Sequence, residues 1–380
     1  MSGLGLVLSG GGARAAYQVG VLRVLARECP SAVPEIITGV SAGGINAAFL
    51  AARAGSYADK IEDLAGMWSD IHIDHIFRVD LRDLASRTLR WGGRLMAGGK
   101  SMLPPARSLV DTAPLRAFLE RELKARDGVL NGIDESLKAG WLRAVALTGS
   151  SYSTGQSVTW VQSRSDAPLP AWERPQRKST MCVLRVDHVM ASASLPFFFP
   201  AVEVDDAWYG DGGIRLTAPL SPAIHLGATR ILAVSTRYAP SRAEADRPMI
   251  SKYPAPAHIA GSLFNAIFLD QFDGDALQLN RINTLIADRP DAERDGLRHV
   301  DLLVMRPSED LGRLANAYEA ELPRAFRFMT RGLGTREARS NDMLSLVMFQ
   351  ADYVKRLMAM GEADAIARLA EIKQFLTLNS

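Results

Sequence analysis

Ser41 stands between Gly39 and Gly43 in the run Thr38-Gly39-Val40-Ser41-Ala42-Gly43. This GxSxG spacing raises a serine hydroxyl on a sharp strand-to-helix turn, where side chains at either glycine would collide. The chemistry open to such a hydroxyl is attack on an acyl carbonyl, provided a neighbouring group takes its proton. The β-branched residues Ile36 and Ile37 lead into the serine, and a small-residue helical run from Ile45 to Ala54 follows it. Unpaired amides at the helix start, with the positive end of its dipole, would face an oxyanion formed there. In a chain with 31 glycines the pentapeptide alone carries little weight, and an ordinary tight turn is the bland alternative. Its setting between strand and helix gives it force.

A second glycine-rich stretch, Ser9-Gly10-Gly11-Gly12-Ala13-Arg14, joins an expected strand at Leu4 to Leu8 to a helix from about Ala15 to Glu28. Gly10, Gly12 and Ala15 fit the glycine part of a dinucleotide fingerprint. The acidic residue that should close the next strand is missing, since Glu35 opens that strand and Ser41 holds its far end. A phosphate loop of the Gly-Lys-Ser/Thr kind fails outright, because Ala15 follows Arg14. Bare backbone at Gly10, Gly11 and Gly12 could instead converge several N–H donors on one oxygen, an oxyanion hole. Arg14 could add a cationic contact there, or serve in a surface salt bridge. Farther on, Asp211 lies between Gly210 and the pair Gly212-Gly213. Asp-Gly is a common turn pair, so a hairpin turn and a catalytic carboxylate are both open.

The usual base for a serine is histidine, and the chain has six. The α/β-hydrolase order demands one late in the chain, after an acid. His299 is poorly placed for that, at the start of a strand, and only one strand clearly precedes Ile36. Ser41 therefore belongs to another arrangement.

The elements that must position these residues follow from the hydrophobic pattern. Helices are expected at Tyr57 to Ser69, from Thr112 as N-cap to near Ala125, around Pro219 to His225, around Ile259 to Ile286, and through much of the chain from Leu311 onward. Strands at Leu142 to Leu147 and Val158 to Gln162 suggest an antiparallel hairpin on a mainly parallel sheet, with two more at Arg230 to Thr236 and Val300 to Met305. Residues 163–180, rich in Pro, Arg and Ser, read as a loop. A short helix from Val186 runs into Leu195-Pro196-Phe197-Phe198-Phe199-Pro200, whose three Phe could line an acyl pocket, although core packing is the commoner use. Residues 71–107 carry Arg78, Arg82, Arg87, Arg90, Arg94, Lys100 and Arg107 interleaved with apolar residues. They resemble an amphipathic cap, suited to a solvated face or to contact with an anionic membrane.

Composition sets the outer limits. A chain of 380 residues, 47% hydrophobic, can bury a large core. The net charge of +2 gives no global field for nucleic acid. Cys29 and Cys182 have no metal spacing and suggest no disulfide framework, so a reducing, cytoplasmic setting is expected, with contact at the inner membrane face as an option. No apolar run approaches the length of a membrane span, and the opening residues read as a core strand rather than a leader.

Together Gly10-Gly11-Gly12-Ala13-Arg14, Gly39-Val40-Ser41-Ala42-Gly43 and Asp211-Gly212-Gly213 closely resemble, in order, the three motifs of the patatin-like phospholipase family. Ala191-Ser192-Ala193-Ser194-Leu195-Pro196, Pro219-Leu220-Ser221-Pro222-Ala223-Ile224 and the late helices around Arg281 and Met343 extend the likeness to bacterial members. The resemblance implies a three-layer α/β/α fold with a mainly parallel sheet over residues 1–310, and a C-terminal helical elaboration, 311–380, packed on the same domain. It also implies hydrolysis of lipid acyl esters by a Ser-Asp dyad, with no cofactor and no metal. By position Ser41 would be the nucleophile and Asp211 the base, with Gly10, Gly11, Gly12 and Arg14 at the oxyanion. Ala15 stands where the family usually has glycine. The expected partner is a lipid or phospholipid ester, and an acyltransferase on the same scaffold is the nearest rival; whether the chain forms a homo-oligomer is not legible.

Overall fold

The computed structural model describes residues 3–78, 110–164, 169–246, 271–290, 293–322 and 340–377, with a few further positions between them. Among these residues ten strands form one sheet. They are β1 (Leu4–Leu8), β2 (Ile36–Val40), β3 (Ala144–Ser151), β4 (Ser157–Ser163), β5 (Glu173–Arg174), β6 (Arg177–Met181), β7 (Val202–Val204), β8 (Ala207–Asp211), β9 (Arg230–Val234) and β10 (Asp301–Met305). The main path runs β10-β9-β1-β2-β3-β4-β6-β5. Strands β10, β9, β1, β2 and β3 are parallel, and β4 turns back antiparallel to β3. The sheet is therefore mainly parallel with an antiparallel extension.

The helices that matter for the site are α1 (Ala16–Glu28), α2 (Ala42–Ala52), α3 (Tyr57–Ser69), α4 (Ala113–Glu122), α5 (Val186–Ser192), α6 (Gln271–Ile286), α7 (Asp342–Val347) and α8 (Ala351–Ala367). A parallel sheet covered on both faces needs strands that are apolar throughout, and β1 and β2 are buried at every residue. Leu4, Leu6 and Leu8 of β1 join one core with Leu22, Phe49, Leu64 and Leu357 from α1, α2, α3 and α8. Val7 points the other way, into a second core with Ile231, Ala223 and Phe272, the last from α6. The result is the expected three-layer arrangement. Helices α1 and α8 cross at backbone distance, because a methyl at Gly20 would overlap the Met358 carbonyl and one at Gly361 the Tyr17 carbonyl.

Strand β1 is where the winding reverses, with β2 on one side and β9 on the other. Open α/β sheets leave a crevice at such a point, beyond the carboxyl ends of the strands. The glycine stretch follows β1 and Ser41 follows β2, so both lie there. A buried polar chain fixes this end of the sheet. Trp68 Nε1 donates to Asn46 Oδ1 at 2.7 Å, Asn46 Nδ2 donates to Gln18 Oε1 at 2.9 Å, and Gln18 Nε2 donates to the Ser9 carbonyl at 2.8 Å.

Several expectations are corrected. Residues 163–180 are not all loop, because β5 and β6 form there and β6 pairs in parallel with β4. The hairpin turn lies at Asp205 and Asp206, both at positive φ, between β7 and β8, and not at Asp211-Gly212. Thr112 occupies the N-cap position of α4 without capping through its side chain; the Ala113 N–H donates to Asp111 Oδ1 at 2.9 Å instead. Most of the basic stretch 71–107, and the expected helical start near Ile259, lie largely outside the described residues. Among described residues no helix is long and apolar enough to cross a membrane.

Candidate active site

Ser41 is the hinge between β2 and α2. Its backbone sits at φ 55 and ψ −132, a sparsely populated conformation for a residue with a side chain, which costs on the order of 1–3 kcal/mol. The glycines on either side permit it. A methyl at Gly39 would overlap the Gly43 carbonyl, and one at Gly43 would overlap the carbonyls of Leu8 and Ser9. The turn is fixed from α5, since the Ser41 N–H donates to Ser192 Oγ at 3.1 Å and the Ser192 hydroxyl donates to the Thr148 carbonyl at 2.7 Å. Ser192 is fully buried. The sequence reading assigned it no role of its own, although the stretch from Ala191 to Pro196 that carries it is part of the family likeness.

Asp211 is the last residue of β8, which pairs antiparallel with the end of β3 beside β2. It is 0% exposed. Its Oδ1 accepts from the Gly213 N–H at 2.9 Å, its N–H donates to the Ser194 carbonyl at 2.9 Å, and the Gly212 carbonyl accepts from Ser150 Oγ at 3.2 Å. Oδ2 completes no hydrogen bond of good geometry. Burial pushes the Asp211 carboxyl up to about 7, while the Ser41 hydroxyl, close enough to act on it, and the Gly213 amide pull it back down. A contact of this kind, short of full alignment in the free protein, is common where substrate completes the geometry.

The glycine stretch arches over the same point. A methyl on Gly10 would lie 3.0 Å from Ser41 Cβ and 3.7 Å from Ser41 Oγ. Thr236, just beyond β9, donates from Oγ1 to the Gly10 carbonyl at 2.5 Å and packs on the open face of Gly11. Gly11 and Gly12 have φ of 147 and 54, backbone regions that favour glycine.

Next to Ser41 an apolar pocket, partly open to solvent, runs between Ile45, Trp68, Leu115, Phe118, Phe199 and Phe349. The three adjacent phenylalanines divide their duties: Phe199 lines the cavity, Phe198 is buried and Phe197 is 69% exposed. A second pocket lies on the other face of the sheet, under Pro219, Pro222 and Phe272, and does not reach the Ser41 side chain.

A family profile described as patatin-like phospholipase matches residues 6–224, more than half of the chain. The chain belongs to the patatin-like phospholipase family. The profile takes in the glycine stretch, the Ser41 turn and Asp211, but none of the residues from 225 onward. Among solved structures, human GIVD cytosolic phospholipase A2 is similar at 12% identity with a TM-score of 0.46, covering 98% of this patatin-like chain and 59% of that one. VipD from Legionella pneumophila matches at 13% identity and a TM-score of 0.33, over 93% of this chain and 66% of its own. The type III effector protein ExoU matches at 15% identity and a TM-score of 0.37, over 98% and 53%. The chain thus spans between about half and two-thirds of the length of the solved structures it matches. No match is found among curated proteins.

Arg14 departs from the expectation. It is no surface residue, at 3% exposed, and its Nε and one terminal nitrogen are turned to Ser345 and Asp342 of α7 rather than toward an oxyanion. Of the histidines weighed as bases, His299 is half exposed and 2.9 Å from Asp301 Oδ1. His188 is buried, and its Nδ1 accepts from the Arg185 N–H at 3.0 Å.

Proposed function

We propose that the chain is a serine acyl hydrolase that cleaves the carboxylic esters of lipids, of phospholipase A or lysophospholipase type with wider esterase activity. Ser41 Oγ attacks the ester carbonyl as its proton passes to Asp211. Amides of the Gly10 to Gly12 stretch receive the developing oxyanion. Collapse breaks the ester C–O bond, and Asp211 returns the proton to the departing alkoxide. The acyl chain, now on Ser41, lies in the apolar pocket until water, deprotonated by Asp211, attacks the acyl carbonyl; collapse breaks the acyl–Oγ bond, Asp211 returns the proton to Ser41 Oγ, and the fatty acid leaves. No cofactor or metal enters this scheme.

The observation that carries the reading is the buried Asp211 carboxylate, with one oxygen uncommitted and the Ser41 hydroxyl beside it. A solvated aspartate is a feeble base at neutral pH. Pushed up toward neutrality by burial, this one is a stronger base, suited to general-base work. A dinucleotide role fits poorly, since Thr236 and Leu346 occupy the faces of Gly11 and Gly12 that a pyrophosphate would need.

The test is a fluorophosphonate probe followed by peptide mass spectrometry, and then the same protein on a panel of phospholipids and short-chain esters. The expected label is one per chain, on Ser41, with ester cleavage that Asp211→Asn reduces by several orders of magnitude. A label elsewhere, or none, removes the proposal. Product analysis with a competing alcohol separates the hydrolase from the acyltransferase reading.

A further inference from the structure

We infer that helix α7, which lies outside the stretch the family profile matches, sets the geometry of the glycine loop through Arg14, so that Arg14, Asp342 and Ser345 are positioning residues for the reaction at Ser41. The inference rests on the acyl-hydrolase reading above. Arg14 belongs to the tight turn Gly12–Ala15 that ends the glycine stretch. Its Nε donates to Ser345 Oγ at 2.7 Å, and its Nη2 donates to Asp342 Oδ1 at 2.7 Å and to the Asp342 carbonyl at 3.0 Å. The Ser345 hydroxyl donates in turn to the Asp342 carbonyl at 2.6 Å, closing the ring. Arg14 and Ser345 are both buried, at 3% and 0% exposed.

The same helix touches the loop directly. The Leu346 carbonyl lies so close to Gly12 that any side chain there would overlap it. Three residues on, Phe349 lines the acyl cavity and stacks on Trp68 with ring centroids 6.5 Å apart. The loop is thus held at Gly10 and Gly11 by Thr236 and at Gly12 and Arg14 by α7.

Such a double hold has a physical reason. Glycine peptide planes rotate more freely than any others, yet donors aimed at a developing oxyanion must be held to within about 0.5 Å. A buried, charge-assisted fork from Arg14 supplies the stiffness that the three glycines lack.

The experiment uses the full chain with Arg14→Gln, Asp342→Asn, Ser345→Ala and the double variant Arg14→Gln/Asp342→Asn. It reads the saturating rate of fluorophosphonate labelling, kcat and KM on a short-chain ester, and Tm. The expected result is a fall of about 10- to 100-fold in kcat and in the saturating labelling rate, as for a misplacement of about 1 Å. KM should stay within about threefold, and the label should still end on Ser41 at one per chain. The double variant should fall no further than Arg14→Gln alone. Ser345→Ala keeps the ion pair and is the variant that decides if the charge changes fail to fold. Folded variants that label and turn over at the wild-type rate, or losses that multiply in the double variant, overturn the inference. A wild-type chain labelled away from Ser41 sinks the hydrolase reading and this inference together, and it is seen before any variant is made.

Discussion

Asp211, the base of the proposed mechanism, is fully buried at the end of β8. A carboxyl pushed up to about 7 by burial is protonated in both folded and unfolded chains below about pH 4, and there it adds nothing to the pH dependence of stability. As pH rises from about 4 to about 7 the unfolded chain loses the proton first, so the folded state loses ground. Above about 7 the penalty is complete, on the order of a few kcal/mol. Asp211→Asn should therefore raise Tm at about pH 8 and leave it nearly unchanged at about pH 4, because the amide can still accept from the Gly213 N–H. Thermal unfolding at the two pH values checks this, and an equal shift at both would refute it. In the proposed mechanism the ionised form is required, so kcat/KM should fall with decreasing pH through about 7 and level off above it. Ser192 acts one step back, through the Ser41 N–H. Ser192→Ala should reduce kcat by about tenfold with little change in KM, since it loosens the turn and leaves the hydroxyl in place.

At the scale of elements, the polar chain from Trp68 through Asn46 and Gln18 to the Ser9 carbonyl ties α3, α2 and α1 to the end of β1. Its members are buried, so breaking one leaves others unsatisfied. Asn46→Leu should cost about 1–3 kcal/mol of stability in denaturant titration, with urea or guanidinium midpoints as the readout. This network was not legible in the sequence, where Asn46 and Gln18 look like ordinary polar residues on small-residue helices. The strand, turn and helix around Ser41 were legible, because β-branched residues, glycines and small residues each favour one local geometry. The edge strands β5 and β6 were missed for the complementary reason. Their residues, including Glu173, Arg174, Arg177 and Lys178, have little strand propensity and are held by pairing, β6 to β4 and β5 to β6.

On the scale of the whole molecule, the apolar pocket beside Ser41 is built from Gly12, α2, α3 and the residues just after it, α4, the segment after α5 and Phe349 after α7, walls drawn from across most of the chain. Leu115 lines it from α4. Leu115→Trp should shift the ester panel toward short acyl chains, lowering kcat/KM for long ones by about tenfold or more while leaving acetyl or butyryl esters within about threefold. Equal loss on all chain lengths would mean that the cavity does not hold the acyl group.

The sequence by itself determined the family, the α/β character, the strand-to-helix turn at Ser41 and the order of the three glycine-bounded motifs, since each is written in residue types a few positions apart along the chain. Only the tertiary structure decided that Asp211 ends a strand beside Ser41 and is no hairpin turn, and that burial lifts its carboxyl. It also decided that Arg14 answers to Asp342, 328 residues away. Partners that far apart leave no local pattern; they are chosen by which faces the sheet and its two helical layers bring together.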